Sequence, residues 1–232
     1  PTPGADKPAR SASALARNEE LARAEKMRRE FTANVSHEMK TPLQVISGYA
    51  ELIETGIAKP EDTPDFAHKI HVEASRMIQL VNDILQLSHL DSVSETHAQP
   101  DMETVDLLDV AKDCVERQKL NAQRSFISLT YLGESARVLG NRDQLDELCQ
   151  NLCDNAIRYN RPGGKVQIIT ARTRDGHCTL TVKDNGIGIP KDAQSSVFER
   201  FYRVDKSHSK ASGGTGLGLS IVKHAVQYHH GT

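Results

Sequence analysis

The stretch FTANVSHEMKTPL, residues 31–43, decides how the first part of this chain folds. Apolar residues recur at Val35, Met39, Leu43, Ile46, Ala50 and Ile53, steps of three and four that draw one stripe along an α-helix. His37 falls between Val35 and Met39, so the helical period turns it away from the stripe and into water. Glu38 follows it, and Thr41 stands one turn on, over the same face. Pro42 lacks a backbone donor and clashes with the preceding turn, which predicts a kink just past the histidine. An imidazole in water is partly uncharged near neutral pH, and a neighbouring carboxylate can take the proton that nucleophilic attack releases. The pattern therefore points to group transfer onto His37, against the plainer reading of a solvated surface histidine.

Working outward, Ser13 to Arg29 is rich in Ala, Glu, Arg and Lys and predicts a connecting helix that runs straight into the His37 helix, after a Pro- and Ala-rich linker. Gly56 suits a helix C-cap, and Thr63 a following N-cap. A second helix is expected to about Ser92, with Phe66, Ile70, Ala74, Met77, Val81, Ile84 and Leu87 or Ser88 as its stripe. Two such helices make an antiparallel hairpin with more apolar stripe than it can bury alone, and two-fold pairing into a four-helix bundle is the simplest remedy.

Beyond a linker at Ser92 to Pro100 the pattern changes. Helices are expected at Leu107–Lys119, Asp143–Arg158 and Leu217–His230, the last capped by Gly231. Strands are expected at Phe126–Leu132, Lys165–Arg172 and Cys178–Lys183, the last two joined by an Asp175-Gly176 turn. This mixture predicts an α/β sandwich, so the fold class is α+β: a helical hairpin followed by a sheet with helices on one face. The domain limits are 1–29 for linker and connecting helix, 30–92 for the hairpin and 101–232 for the sandwich.

Composition narrows the function. The chain of 232 residues has a formal net charge of −2, which argues against a nucleic-acid or anionic-membrane binder held by bulk charge. No apolar run has the length of a membrane span, and the reading is of a soluble intracellular piece. Cys114, Cys149, Cys153 and Cys178 show no metal-ligand spacing, and Cys149 and Cys153, four apart on one helix face, are expected to pack as small apolar residues in a reducing compartment.

Three separated segments look built for a nucleotide. NLCDNAIRYN, residues 151–160, sets Asn151 and Asn155 on one helix face, two neutral oxygen donors of the kind hard divalent cations accept beside phosphates. DNGIGIP, residues 184–190, puts an acid at a strand end before a glycine-rich turn. GGTGLGLS, residues 213–220, is a glycine-rich loop opening a helix, whose N–H groups can cradle phosphate. None has the Walker lysine pattern or a dinucleotide fingerprint.

In this order, after the His37 helix and with VFERFYRVDK at residues 197–206, these segments resemble the H, N, G1, F and G2 boxes of sensor histidine kinases, and are most similar to the phosphate-regulon type. The resemblance covers about residues 24–231. It implies ATP and Mg2+ as cofactors, His37 as phosphoacceptor, Glu38 as general base, and Thr41 as the residue that orients water for dephosphorylating the partner. It further implies Asn155 as magnesium ligand supported by Asn151, Arg158 and Tyr159 beside phosphate and adenine, and Asp184 as acceptor of the adenine amino group. Gly186 and Gly188 would shape that pocket, Arg203 would reach the γ-phosphate, and Gly214, Gly216, Leu217 and Gly218 would bring backbone to the phosphates. A polar lid over about residues 191–214 would be anchored by Phe198 and Phe201.

Implied partners are a second copy through residues 30–92 and the receiver domain of a response regulator, with no nucleic acid, and a membrane only through segments outside this chain. That would make it the cytoplasmic portion of a membrane-anchored sensor kinase. A phosphatase or a nucleotide-gated scaffold remains as an alternative, whereas Hsp90-type ATPases share the nucleotide fold without the HExxT helix. Because the family's ATP domain continues past the position of Gly231 into a closing strand pair, the chain is expected to be a fragment whose extension raises stability.

Overall fold

A computed structural model of the chain describes residues 7–96, 102–204 and 214–232. They divide into two compact units, Pro1–Met77 and Ile78–Thr232, so the boundary falls inside a helix.

The first unit is built on α1 (Lys7–Glu54) and the first part of α2 (Thr63–Thr96). α1 contains both the expected connecting helix and the His37 helix, and it runs unbroken through Pro42, whose ring is buried. Gly56 takes the left-handed conformation, φ +70°, and the Ala58 N–H reaches back to the Leu52 carbonyl at 2.9 Å, which closes the helix end as the sequence predicts. Thr63 differs from expectation. It is already helical and its hydroxyl donates to the Lys59 carbonyl at 3.2 Å, so it satisfies an acceptor before the helix rather than capping its N–H groups. Between α1 and α2, Tyr49 and Phe66 place ring centroids 4.9 Å apart, with the Lys69 ammonium 5.2 Å from the Tyr49 ring. α2 continues to Thr96, covering the first five residues of the expected linker; the rest of that linker, at 97–100, lies outside the described residues.

The second unit holds two sheets. β1 (Glu103–Asp106) pairs antiparallel with β3 (Arg137–Gly140), Val105 opposite Val138. Neither strand is expected from the sequence, because four-residue strands are too short to show a period. The main sheet has the order β2-β4-β5, from β2 (Ser128–Gly133), β4 (Lys165–Arg172) and β5 (Cys178–Asp184). β2 runs parallel to β4, with Ser128 opposite Lys165, and β5 runs antiparallel to it, with Ile169 opposite Thr181. The β4–β5 turn follows the Asp175-Gly176 signal, with Gly176 at φ +86°.

Strict alternation buries Val166, Ile168 and Thr170 of β4 on one face. Val166 and Ile168 join a core with Val110, Ala111 and Cys114 of α3 (Leu107–Arg124) and Cys149, Cys153, Ala156 and Ile157 of α4 (Arg142–Arg158). Both helices have side-chain caps: Asp106 accepts from the Leu108 N–H and Asn141 from the Gln144 N–H. Cys149 and Cys153 are core residues, as expected, and Cys114 joins them; contact with the Cys114 thiol, together with burial, pushes the Cys149 and Cys153 thiols up.

α5 (Gly218–Tyr228) packs Val222 and Ala225 against Leu148 of α4. Its C-terminal cap is not Gly231. His230 takes the left-handed position, φ +54°, and the Gly231 N–H closes the turn on the Val226 carbonyl at 2.8 Å. Among the described residues no helix is long and apolar enough to cross a membrane.

Candidate functional site

In the first unit, the His37 side chain is 77% exposed and its Nδ1 lies 4.0 Å from Glu38 Oε1. Glu38 is itself steered: the Arg76 guanidinium, from α2, stands 3.6 Å from its other oxygen and 3.9 Å from Glu73. Arg76 is only 16% exposed, so this cation holds the carboxylate from the side of α2 while the opposite oxygen faces the imidazole. The Thr41 hydroxyl donates to the His37 carbonyl at 3.4 Å, placing it one turn from the ring. His37, Glu38 and Thr41 lie together on this stretch of α1, whereas Arg76 gives no signal in the sequence, a lone arginine in the α2 pattern being too common to stand out.

In the second unit, α4, the β5 end and the glycine-rich loop converge. The Asp184 carboxylate, at the end of β5, accepts from the Gly186 N–H at 2.8 Å, and the Ile187 N–H donates to the Tyr159 carbonyl at 3.1 Å. A Cβ on Gly186 would fall 2.4 Å from that carbonyl, so only glycine lets the turn lie against the end of α4. Gly188, at φ +73°, faces open space. The loop approaches α4 from the other side. A Cβ on Gly214 would meet Arg158 Nη1 at 2.9 Å and the Tyr159 hydroxyl at 3.4 Å; one on Gly218 would meet Asn151 Oδ1 at 2.8 Å. Gly216, at φ +74°, accepts from the Phe201 N–H at 2.8 Å, which ties the loop to the segment before it.

Asn151, Arg158, Tyr159, Asp184, Gly186, Gly214 and Gly218 therefore lie along the C-terminal half of α4. The Asn151 amide donates to the Glu147 carbonyl at 3.1 Å. Asn155 is part-buried, and its amide has no hydrogen-bond partner among the described residues. Leu217 belongs to the site through its backbone alone: its side chain is fully buried and its N–H donates to Thr215 Oγ1 at 3.3 Å. Arg203 is part-buried. Of the expected lid, residues 205–213 lie outside the described residues; within the rest, Phe198 is exposed rather than buried as an anchor, and Phe201 is part-buried.

Carboxylates of α4 and α2 also have raised pKa values that the sequence does not signal. Burial raises Asp154, eased by the Arg158 charge, and burial also raises Asp83 of α2, eased by hydrogen bonds from Thr215 and Gln79. Burial, then the nearby Asp83 and Asp143 charges, pushes Glu147 up to about 7. A raised acid keeps its proton in the folded domain after the unfolded chain has lost it. The resulting penalty is absent below the ordinary value of 4.5 and complete above about 7, so stability falls as pH rises through that window. Glu147→Gln is expected to stabilise the domain at pH 8 by about 1–2 kcal/mol, allowing for the partial exposure of the group, with the gain shrinking towards pH 5. Melting curves of the two proteins across that range check it; a gain independent of pH would assign the effect to packing.

Two family models match the chain in succession: a His Kinase A (phospho-acceptor) domain over residues 27–93, and a histidine kinase-, DNA gyrase B- and HSP90-like ATPase over residues 140–232. A phospho-acceptor helix followed by this ATPase fold defines the class. Among curated relatives, the sensor-like histidine kinase SenX3 of Mycolicibacterium smegmatis is 42% identical over 214 residues, 92% of this chain and 55% of its own length. The sensor protein kinase WalK of Staphylococcus haemolyticus is 38% identical over 209 residues, 89% of this chain and 34% of its own. The chain belongs to the sensor histidine kinase family, and spans between a third and just over half of the length of these relatives.

Solved structures agree on the fold. Histidine kinase ThkA, in complex with response regulator protein TrrA, superposes with a TM-score of 0.68 at 22% identity over 96% of this chain and 60% of that one. Full-length ShkA in complex with AMPPNP gives 0.59 at 25% identity, over 84% of this chain and 40% of that one. Acinetobacter baumannii AdeS gives 0.62 at 23% identity, over 83% and 86%.

Proposed function

We propose that this chain is the transmitter part of an ATP-dependent protein-histidine kinase that phosphorylates His37 and passes the phosphoryl group to an aspartate in the receiver domain of a response regulator. The observation that carries the reading is the exposed His37 imidazole with Nδ1 facing the Glu38 carboxylate at 4.0 Å, in a chain that also has the histidine-kinase ATPase fold. With Nδ1 turned to the carboxylate, Nε2 is the nitrogen that attacks. A bond forms from Nε2 to the γ-phosphorus as the bond to the β-phosphate oxygen breaks, ADP leaves, and the Nδ1 proton passes to Glu38. Arg76 restrains Glu38 without touching the imidazole, which keeps one oxygen directed at the ring.

The nucleotide fits the end of α4. Asp184 takes the adenine amino group, Tyr159 flanks the base, and Gly186 and Gly188 shape its pocket. Arg158, with Arg203 from the segment before the loop, meets the phosphates, and Gly214, Gly216, Leu217 and Gly218 present backbone to them. The amide oxygen of Asn155, supported by Asn151, suits a magnesium ion that shares its remaining ligands with phosphate and water; when bound, the ion neutralises charge on the transferring group. No cluster of three or more His, Cys, Asp or Glu side chains able to hold a metal occurs among the described residues, so an asparagine-and-phosphate site is the kind this donor set supports. The complex of ShkA with AMPPNP supports a nucleotide in this fold.

A homodimer through residues 30–92 is favoured by apolar side chains that the hairpin helices leave in water, Leu43 on α1 and Val72, Ile78 and Leu85 on α2. The complex of histidine kinase ThkA with response regulator TrrA supports a response regulator as partner. In the cell we place this part on the cytoplasmic side of a membrane-anchored sensor. Incubation with γ-labelled ATP and magnesium tests the kinase: an acid-labile, base-stable label on the protein is expected, and an acid-stable label overturns it.

Thr41→Ala is expected to spare this labelling while slowing removal of phosphate from the regulator at least tenfold, because the hydroxyl stands one turn from His37 where it can hold an attacking water. Regulator dephosphorylation and self-labelling, measured side by side, check it. Equal loss of both would assign Thr41 to helix structure instead.

A further inference from the structure

One carboxylate outside every nucleotide motif grips the glycine-rich loop. Asp83 of α2 is 6% exposed, and both its oxygens are engaged: Oδ1 accepts from Gln79 Nε2 at 2.7 Å and Oδ2 from the Thr215 hydroxyl at 2.6 Å. Thr215 sits between Gly214 and Gly216, is itself buried, and through its hydroxyl oxygen accepts the Leu217 N–H that starts α5. A single hydroxyl thus fastens the loop to α2 and to the first turn of α5. The charges that bear on Asp83 are the Arg158 cation and the Glu147 and Asp154 carboxylates.

We infer that Asp83 is a positioning residue that holds the glycine-rich loop in a phosphate-averse state, so that nucleotide phosphate must displace the Asp83–Thr215 contact to seat fully. This rests on the reading that the loop receives phosphate. The Thr215 hydroxyl has one proton to donate, and it goes either to the carboxylate or to a phosphate oxygen. The carboxylate is buried where solvent screens it weakly, so it repels an anion brought to the adjoining backbone. Arg158 Nη1, beside Gly214, is the cation both anions would share; drawn to phosphate, it leaves Asp83 among two further acids. All three effects oppose the phosphate tail and none acts on the nucleoside. Because Asp83 belongs to α2, any rearrangement of that helix changes the hold on the loop.

The test is Asp83→Asn in the full chain, with ATP, ADP and adenosine affinities measured by calorimetry in magnesium at low salt. Asparagine keeps the shape and an oxygen that can accept from Thr215 but removes the charge. Affinity for ATP is expected to rise about five- to tenfold, with a smaller gain for ADP and none for adenosine. A purely structural role for Asp83 would shift all three ligands together, and an unchanged or weakened ATP affinity would equally overturn the inference. Should the asparagine variant melt well below the parent, Asp83→Ser, small and neutral, is expected to give the same gain for ATP over adenosine, and its failure to do so overturns the inference. A parent chain that binds no ATP refutes the phosphate-loop reading itself; a parent that binds ATP beside an Asn variant with the same ATP-to-adenosine ratio refutes only the role of Asp83.

Discussion

His37→Gln is expected to remove all phosphoryl label from the protein while ATP affinity stays within about twofold of the parent. Glutamine cannot act as a nucleophile toward phosphorus, so the loss is complete rather than graded, and it exceeds the few hundredfold that removing one positioning contact produces. The separation of effects follows from placement. His37 lies in the unit ending at Met77, and every residue assigned to nucleotide lies in the unit that begins at Ile78. The fold survives the change, because a side chain 77% exposed has little packing to lose. Label from γ-labelled ATP, followed through acid and base treatment, together with calorimetry of ATP binding, checks both halves. Label retained by the glutamine variant would mean that another residue is the acceptor.

The second large effect belongs to the proposed adenine and metal ends of the ATP site. Asp184→Asn is expected to weaken ATP binding about ten- to hundredfold, corresponding to roughly 1.5–3 kcal/mol for a hydrogen bond to a charged group. Asparagine can still accept from the Gly186 N–H, so the turn at 184–188 keeps its shape and the loss reports on recognition of the base. It should appear equally with ATP, ADP and adenosine. Asn155→Ala should act differently, abolishing the magnesium dependence of ATP binding while leaving adenosine affinity unchanged, since its amide points to no partner among the described residues that would collapse without it. Calorimetry with and without magnesium separates the two variants. Adenosine affinity untouched by Asp184→Asn would remove that residue from the base pocket.

How much of this was legible in the sequence depends on range. α4 and β4 follow their expected limits within a residue because each carries a full period, 3.6 in Leu145, Leu148 and Leu152 and 2 in Val166, Ile168 and Thr170. The stripe of α2 is subtler. The expected Val81 is exposed, and the buried line runs through Leu80, Asp83 and Leu87, spaced three and four apart with an acid at its centre. A polarity rule rejects an aspartate from a buried stripe, yet Gln79 and Thr215 satisfy both its oxygens, and Thr215 is 132 residues away. Local pattern cannot contain that partner. For the same reason Arg76 went unnoticed beside Glu38, while His37, Glu38 and Thr41, close in sequence on one helix, were plain. β1 and β3 were hidden because each has its pairing residues in the other and no room for alternation of its own.

The parallel pairing of β2 with β4 bears on how the nucleotide site comes into being during folding. A parallel pair cannot zip from a tight turn; Ser128 meets Lys165 only after the chain between them has crossed over, and α4 is the helix of that crossover. The β4–β5 hairpin, closed by its short turn, is a local event and can form early, whereas the crossover pays a long loop-closure entropy first. Asn151, Asn155, Arg158 and Tyr159 all ride on α4 or at its end, so they arrive in the same slow step that completes the sheet. On the proposed reading a partly folded form with the hairpin alone lacks the α4 side chains of the nucleotide site, so bound nucleotide would stabilise the folded crossover as a whole rather than a single loop.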